Sequence, residues 1–462
     1  MKKLLALLFL AFYSLTACLP AGAAPVQTLG KEYIASYFNT VAAASCLGVY
    51  LPETSGEFSF LRSYGWDIEP QVESDGKVEA HFAIASNYFS ELDKQLYLIT
   101  FRGSASKEDW KVNLQTQQVN YGGTDLDSMD KIAAAPFKEN FPTVHAGFNS
   151  YVNTVLRNVV LDENGNFKGV FKKIKDNPKA YLILTGHSLG GAAATLLGER
   201  LISLGLPKDK FTVITFGAPA IGNSDFVAAY GDKINLYRIT NTADPIPGSL
   251  QTFFSGYKQF GEQIKYRISP KQSGMQHDIA MYFDYSVSEF FKAYDQEVEL
   301  GHLSTLPDKK IRDGQPLVAL WIKTAANLNK VAYVTDLERF VVEEYQRLLP
   351  SYIIMNRAMD EDAFVSTDII RQSRNAGADY VLVCGMEGNR PPKEHFWYLT
   401  LEQALFDAKG NMLSMCSLSN KIAPAVGNIQ AAGQNLLEAR KELNQQLPFV
   451  KIKQESYLGS EG

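Results

Sequence analysis

The sequence predicts an α/β fold with a mostly parallel sheet and helices on both faces, and three observations predict it. Runs rich in β-branched and aromatic residues recur at 78–89, 95–101, 180–185, 211–216 and 234–239. Helical stretches separate the later runs, the clearest at 189–204 with its Ala-rich, close-packing start. Alternating strands and helices bury both faces of a parallel sheet, so its central strands read as unbroken apolar runs, as Tyr181-Leu182-Ile183-Leu184 does. After 306 the pattern changes, and a second, smaller α/β set begins.

At 462 residues and 46% hydrophobic, the chain can bury more than one core. The expected organisation is a signal peptide at 1–17, a first domain at 25–305, a linker at 306–316 and a small α/β domain at 317–462. Lys2 and Lys3 precede an apolar run from Leu4 to Ala17, too short to span a bilayer and built like a secretory signal. Leu15-Thr16-Ala17-Cys18 resembles a lipoprotein box, which would make Cys18 a lipidated first residue and the protein a membrane-anchored component of the cell envelope. Ala21-Gly22-Ala23 offers the alternative, ordinary cleavage and free secretion. Lipidation is favoured, because the cysteine falls where the apolar run ends.

Net charge is −5 and the charges are scattered, which argues against a nucleic-acid partner. Cys46, Cys384 and Cys416 form no disulfide framework and have no metal-ligand spacing. Two of them, Cys384 and Cys416, lie in strands of one domain where an exported chain could bridge them. Burial as small apolar side chains is the expectation.

The chemistry is expected at Gly186-His187-Ser188-Leu189-Gly190, a G-x-S-x-G match entered from an apolar strand and left by an Ala-rich helix. A serine hydroxyl needs exposure, a base and a place for the oxyanion. A sharp strand-to-helix turn exposes Ser188, and flanking glycines let that turn close. The free N–H groups at the helix start point at the same spot, which makes the Leu189 N–H the first oxyanion donor. This α/β-hydrolase order puts the acid and then the base after the nucleophile. His81, His145 and His187 are thereby excluded as base; His277, His302 and His395 remain, the last in the second domain. Asp244 follows the 234–239 run, where an α/β sheet presents functional groups, and two nearby prolines stiffen its loop. Asp225 and Asp232 precede that run and are weaker candidates. No metal or organic cofactor is required.

Five motifs carry a family resemblance: Phe101-Arg102-Gly103-Ser104, Val144-His145-Ala146-Gly147-Phe148, the serine motif with Gly191, Phe216-Gly217-Ala218-Pro219 and Asn241-Thr242-Ala243-Asp244-Pro245. Over roughly residues 35–300 the chain resembles the fungal-type, or class 3, triacylglycerol lipases. The resemblance implies that Ser104 supplies a second oxyanion contact, and that the segment from Ala105, with Trp110 and Leu114, is the lid. It gives His145 a structural role. Two departures stand out. The stretch 122–143 is longer than the family usually carries and is a candidate for reshaping the substrate mouth. Asp244 and His277 are 33 residues apart (277 − 244), and His302 is nearer the family's spacing. His277 is preferred because Asp278-Ile279-Ala280-Met281-Tyr282 resembles the apolar-aromatic helix that follows the family's histidine.

In the second domain strands are expected at 331–334, 352–355 and 379–384, helices from Thr335 and over 362–375, and a hairpin of 395–406 with 412–418. Its arrangement resembles the α/β domains at the N-terminus of TolB and in CsgG-like envelope lipoproteins, which implies docking to an envelope partner. The functional classes are a lipid-ester hydrolase, a hydrolase of another acyl bond such as a thioester, and a non-catalytic envelope binding protein.

Overall fold

A computed structural model describes residues 29–50, 58, 61–62, 65–76, 78–104, 117–248, 256–268, 276–325, 327–328, 334–356, 367–392, 397–422 and 427–450. The expectations at 1–18, at the lid residues Trp110 and Leu114, and for residues 331–333 of the strand expected at 331–334 lie outside these, while Val334 opens a helix instead of ending a strand. Two compact units emerge, one of Ala35–Ile268 with Gln276–Ser286, the other holding the described residues of Met1–Ile34 and Val287–Gly462.

In the first unit the strands are β1 (Asp67–Ser74), β2 (Glu79–Phe89), β3 (Lys94–Phe101), β4 (Gln118–Asn120), β5 (Thr143–His145), β6 (Ala180–His187), β7 (Phe211–Phe216), β8 (Leu236–Asn241) and β9 (Glu262–Tyr266). Seven of them form one sheet in the order β1-β2-β3-β6-β7-β8-β9. Pairing is antiparallel from β1 to β3 and parallel from β3 to β9. β6 and β7 are central and almost wholly buried, which is why their sequences are unbroken apolar runs. The Leu189–Ser203 helix follows β6 and buries its small residues Gly190, Gly191, Ala192, Ala193 and Ala194. A methyl at Gly198 would come within 2.8 Å of Val213 Cγ2, so glycine sets how closely this helix approaches β7. This is the mostly parallel α/β-hydrolase sheet the motifs predicted.

The long stretch 122–143 loops out of the β4–β5 ladder and carries the Leu126–Ala134 helix, capped by Asp125 and Ser128. Its start is held by Arg200, whose guanidinium lies 3.8 Å from the Tyr121 ring centroid and donates to the Gly122 carbonyl at 2.9 Å, and its later part by Asn120, bonded to Ala135, Pro136 and Lys138. Arg200 stands eleven residues beyond Leu189 on the same helix, about 17 Å along its axis. The start of the stretch is thus held at the far end of the nucleophile helix.

In the second unit β10 (Lys309–Lys310), β11 (Val318–Thr324), β12 (Tyr352–Asn356), β13 (Tyr380–Asn389), β14 (Trp397–Asp407) and β15 (Met412–Ile422) form a sheet ordered β10-β12-β11-β13-β14-β15. The expected linker at 306–316 contributes β10, which pairs antiparallel with β12, while Pro307 accepts from Gln346 and Tyr352. Its turn-forming residues mark a chain reversal at a sheet edge. The central strand is β11, parallel to β12 and β13 and absent from the sequence expectation. Helices Val334–Leu348 and Asn428–Gln446 cover one face, where Gln403 bonds both Tyr345 and the Ala439 carbonyl. Ile369 of the Thr367–Asn375 helix packs on the other face with Trp321, Val381, Val383, Ala404 and Phe406.

Cys384 and Cys416 are both opposite Gln403, one from each side, so β14 separates them. Two strand spacings come to about 10 Å, beyond the reach of a disulfide, and the bridge considered from sequence is excluded. All three described cysteines are free thiols.

Between the two helices, Glu344 is paired with Arg440 and with Arg347, and Glu344 is fully buried. Replacing one member of such a pair leaves the other charge buried and uncompensated. Glu344→Ala is expected to destabilise the second unit by about 3–5 kcal/mol, read as a lower midpoint in urea; an unchanged midpoint would remove the pair from the stability account.

Candidate active site

Ser188 sits at the corner between β6 and the Leu189–Ser203 helix with φ +57 and ψ −125. For a residue with a Cβ this left-handed value is strained, by on the order of 1–3 kcal/mol, and must be held by its surroundings. The glycines explain how. A Cβ on Gly186 would run into the Gly190 carbonyl and lie 2.6 Å from the Gly191 nitrogen. One on Gly190 would enter the Phe101 carbonyl, and one on Gly191 would meet the Ala218 Cβ at 2.7 Å. The strand end, helix start and β3 end close on one another with no room for side chains, and the Ser188 N–H is held by the Phe216 carbonyl at 2.9 Å.

His277 and Asp244 come to this corner from two loops. Asp244 follows β8, its N–H bonded to the Asn241 carbonyl at 3.1 Å. The Asn241 side chain donates to Gln276, both to its carbonyl at 3.0 Å and to its side-chain oxygen at 2.7 Å, so one residue ties the acid's loop to the residue before His277. His277 Nε2 lies 2.9 Å from Ser188 Oγ, and Nδ1 lies 2.8 Å from Asp244 Oδ2. A carboxylate accepts only, so Nδ1 carries the proton and Nε2 faces the serine hydroxyl with its lone pair. The Asp244 side chain is fully buried. Oδ1 accepts from the Ile246 N–H at 2.9 Å, and Oδ2 also accepts from the Tyr282 hydroxyl at 2.5 Å. Burial and the Asp244 charge push the Tyr282 hydroxyl well above its usual range, so it remains a donor. Gly217, at φ +57, packs beneath the pair, where a Cβ would stand 2.7 Å from Asp244 Oδ2 and 3.1 Å from His277 Nδ1.

The other histidines are placed elsewhere. His302 Nδ1 pairs with Glu297 in the second unit at 2.8 Å. His145 Nδ1 accepts from the N–H groups of Gly147 and Phe148 and caps the Ala146–Val155 helix, a structural position. His187 is buried, and its surroundings, together with His277, hold it well below the usual imidazole range. Ser104 is half-buried and follows Gly103, on which a Cβ would lie 3.5 Å from that of Ser188. Leu189 opens the helix, where its N–H has no intrahelical partner. Trp110, Leu114 and Cys18 lie outside the described residues. Among the described residues no cluster of three or more His, Cys, Asp or Glu could hold a metal ion.

The roles of Tyr282, Asn241 and Gly217 were not read from the sequence. Tyr282 could have been suspected, standing five residues after His277 in the aromatic run, but its partner is set by the tertiary fold.

Residues 98–253 match the family model described as Lipase (class 3). A secreted mono- and diacylglycerol lipase 1 of Fusarium solani is 29% identical over 163 residues, 35% of this chain and 41% of that protein. Phospholipase A1 EG1 of Oryza sativa subsp. indica is 27% identical over 194 residues, 39% of this chain and 42% of that protein. The chain spans about half the length of the curated relatives it matches. Among solved structures, the Rhizomucor miehei triacylglyceride lipase aligns at 23% identity over 51% of this chain and 81% of that one, with a TM-score of 0.39.

Proposed function

We propose that this chain, whose residues 98–253 match the class 3 lipase family model, hydrolyses carboxylic ester bonds of lipids through Ser188, His277 and Asp244. The observation that carries the reading is the unbroken run of contacts from Ser188 Oγ to His277 at 2.9 Å and on to Asp244 at 2.8 Å. His277 takes the serine proton as Oγ attacks the ester carbonyl, and Asp244, held by Tyr282 and the Ile246 N–H, stabilises the imidazolium. The Leu189 N–H and Ser104 bind the tetrahedral oxyanion, worth about 3–4 kcal/mol per donor. His277 then protonates the departing alcohol, and water attacks the acyl-serine by the reverse route.

The substrate class is acylglycerol or the sn-1 ester of a phospholipid, the two chemistries named among the relatives. Its test is turnover of nitrophenyl esters of rising chain length beside a triacylglycerol emulsion and phosphatidylcholine vesicles. Preference for long acyl chains supports a lipid substrate. Activity confined to short or thioester substrates would overturn it in favour of a non-lipid esterase.

The N-terminal segment is read as an export signal with Cys18 as a lipid-bearing anchor, which would attach the enzyme to the envelope membrane and leave the second domain to dock an envelope partner. Labelled palmitate should enter the parent chain and be lost in Cys18→Ser. Label surviving that change would refute the anchor.

A further inference from the structure

The carbonyl of His277 is held from behind by a chain of groups that the reaction above does not use. His187 Nε2 lies 2.7 Å from the His277 carbonyl oxygen, and His187 Nδ1 lies 2.9 Å from the Tyr50 hydroxyl. The direction of every bond follows. A carbonyl only accepts, so His187 carries its proton on Nε2 and donates to His277. Neutral imidazole then has a lone pair on Nδ1, which the Tyr50 O–H fills. The Tyr50 hydroxyl also packs against the Gly103 backbone, so closely that a Cβ on Gly103 would collide with it.

The chain therefore runs from Gly103, one residue before the proposed oxyanion donor Ser104, through Tyr50 and His187 to the backbone of the base. His187 is itself the residue before Ser188. Three parts of the site, at the ends of β3 and β6 and at His277, are joined by one run of contacts, and the member that joins the first to the others is a tyrosine two residues past the Lys31–Gly48 helix. The two imidazoles lie 4.5 Å apart between centroids, so a shift of His187 is passed directly to the base.

The geometry points to Tyr50 as a positioning residue that, through His187, sets the oxyanion loop and the His277 base in register with Ser188. This rests on the ester-hydrolase reading above and concerns how its parts are aligned.

The test compares the parent, Tyr50→Phe, His187→Gln and the double variant. The readouts are kcat and KM on nitrophenyl butyrate, and the rate at which a nitrophenyl alkylphosphonate labels Ser188. Phe keeps the ring and removes only the hydroxyl, so the fold is retained, with a melting scan as the check. A misplacement of this kind costs about 10- to 100-fold. The expectation is that loss in kcat with KM within about twofold, an equal loss in labelling rate, and a double variant no worse than the poorer single, because the two act as one unit. Parent-like kcat and labelling in Tyr50→Phe, a change confined to KM, or losses that multiply in the double variant would each overturn the alignment role. If the parent is labelled at Ser188, such a result strikes only Tyr50. A parent that is neither labelled nor active would overturn the hydrolase reading and this inference with it.

Discussion

Ser188→Ala is expected to lower kcat on any ester the protein turns over by a factor on the order of 10⁵–10⁶. Alanine removes the only atom that forms the covalent intermediate. The oxyanion donors and the binding surface survive, so a residual rate above that of water remains. Stability should change little, since alanine meets the same left-handed backbone at φ +57 and the same glycine contacts as serine does. Turnover measured beside a melting scan separates loss of chemistry from loss of fold. A folded variant as active as the parent would end the assignment of Ser188 and of the whole mechanism.

His277→Ala should cost nearly as much, and His302→Ala almost nothing. His277 alone touches both Ser188 Oγ and Asp244. His302 bonds Glu297, a partner with no part in acyl transfer, and its side chain is about a quarter exposed. A nucleophile and its base act as one unit, so Ser188→Ala combined with His277→Ala should be no slower than either alone. The opposite ranking of the two histidines would move the base to His302 and reject the hydrogen-bond geometry described above.

What could be read in advance follows from range along the chain. Strands β6 and β7 were legible because burial on both faces leaves an apolar run that needs no context. Ser188 could be singled out because its turn requires glycines at fixed offsets, and Asp244 because the fold places its acid after the nucleophile; that order left His277 and His302 both open, and only the resemblance of the segment after His277 favoured it. β11 escaped because Val318–Thr324 follows directly on a polar bridge, and its role as a central strand depends on pairing with β13 some sixty residues later. Tyr50 and Tyr282 escaped for the same reason at closer quarters. Tyr50 is 137 residues from His187 and Tyr282 is 38 from Asp244, and a tyrosine that donates one hydrogen bond looks in sequence like any other aromatic of the core. The contacts that hold the stretch 122–143 could not be read in advance, since they come from Arg200, Asn120 and Asn223, all outside the stretch.

The strand lying between Cys384 and Cys416 has a practical consequence for making this protein. Burial pushes the thiols of Cys46 and Cys384 up to about 12, so neither is an effective nucleophile at neutral pH. With Cys416 beyond reach of Cys384, no cross-link joins the described cysteines of either unit. Maturation of the described fold therefore asks nothing of an oxidising compartment or a disulfide isomerase. A version beginning after Cys18 is expected to fold in the reducing interior of an ordinary expression host and to keep its fold in thiol reductant, read as an unchanged melting temperature.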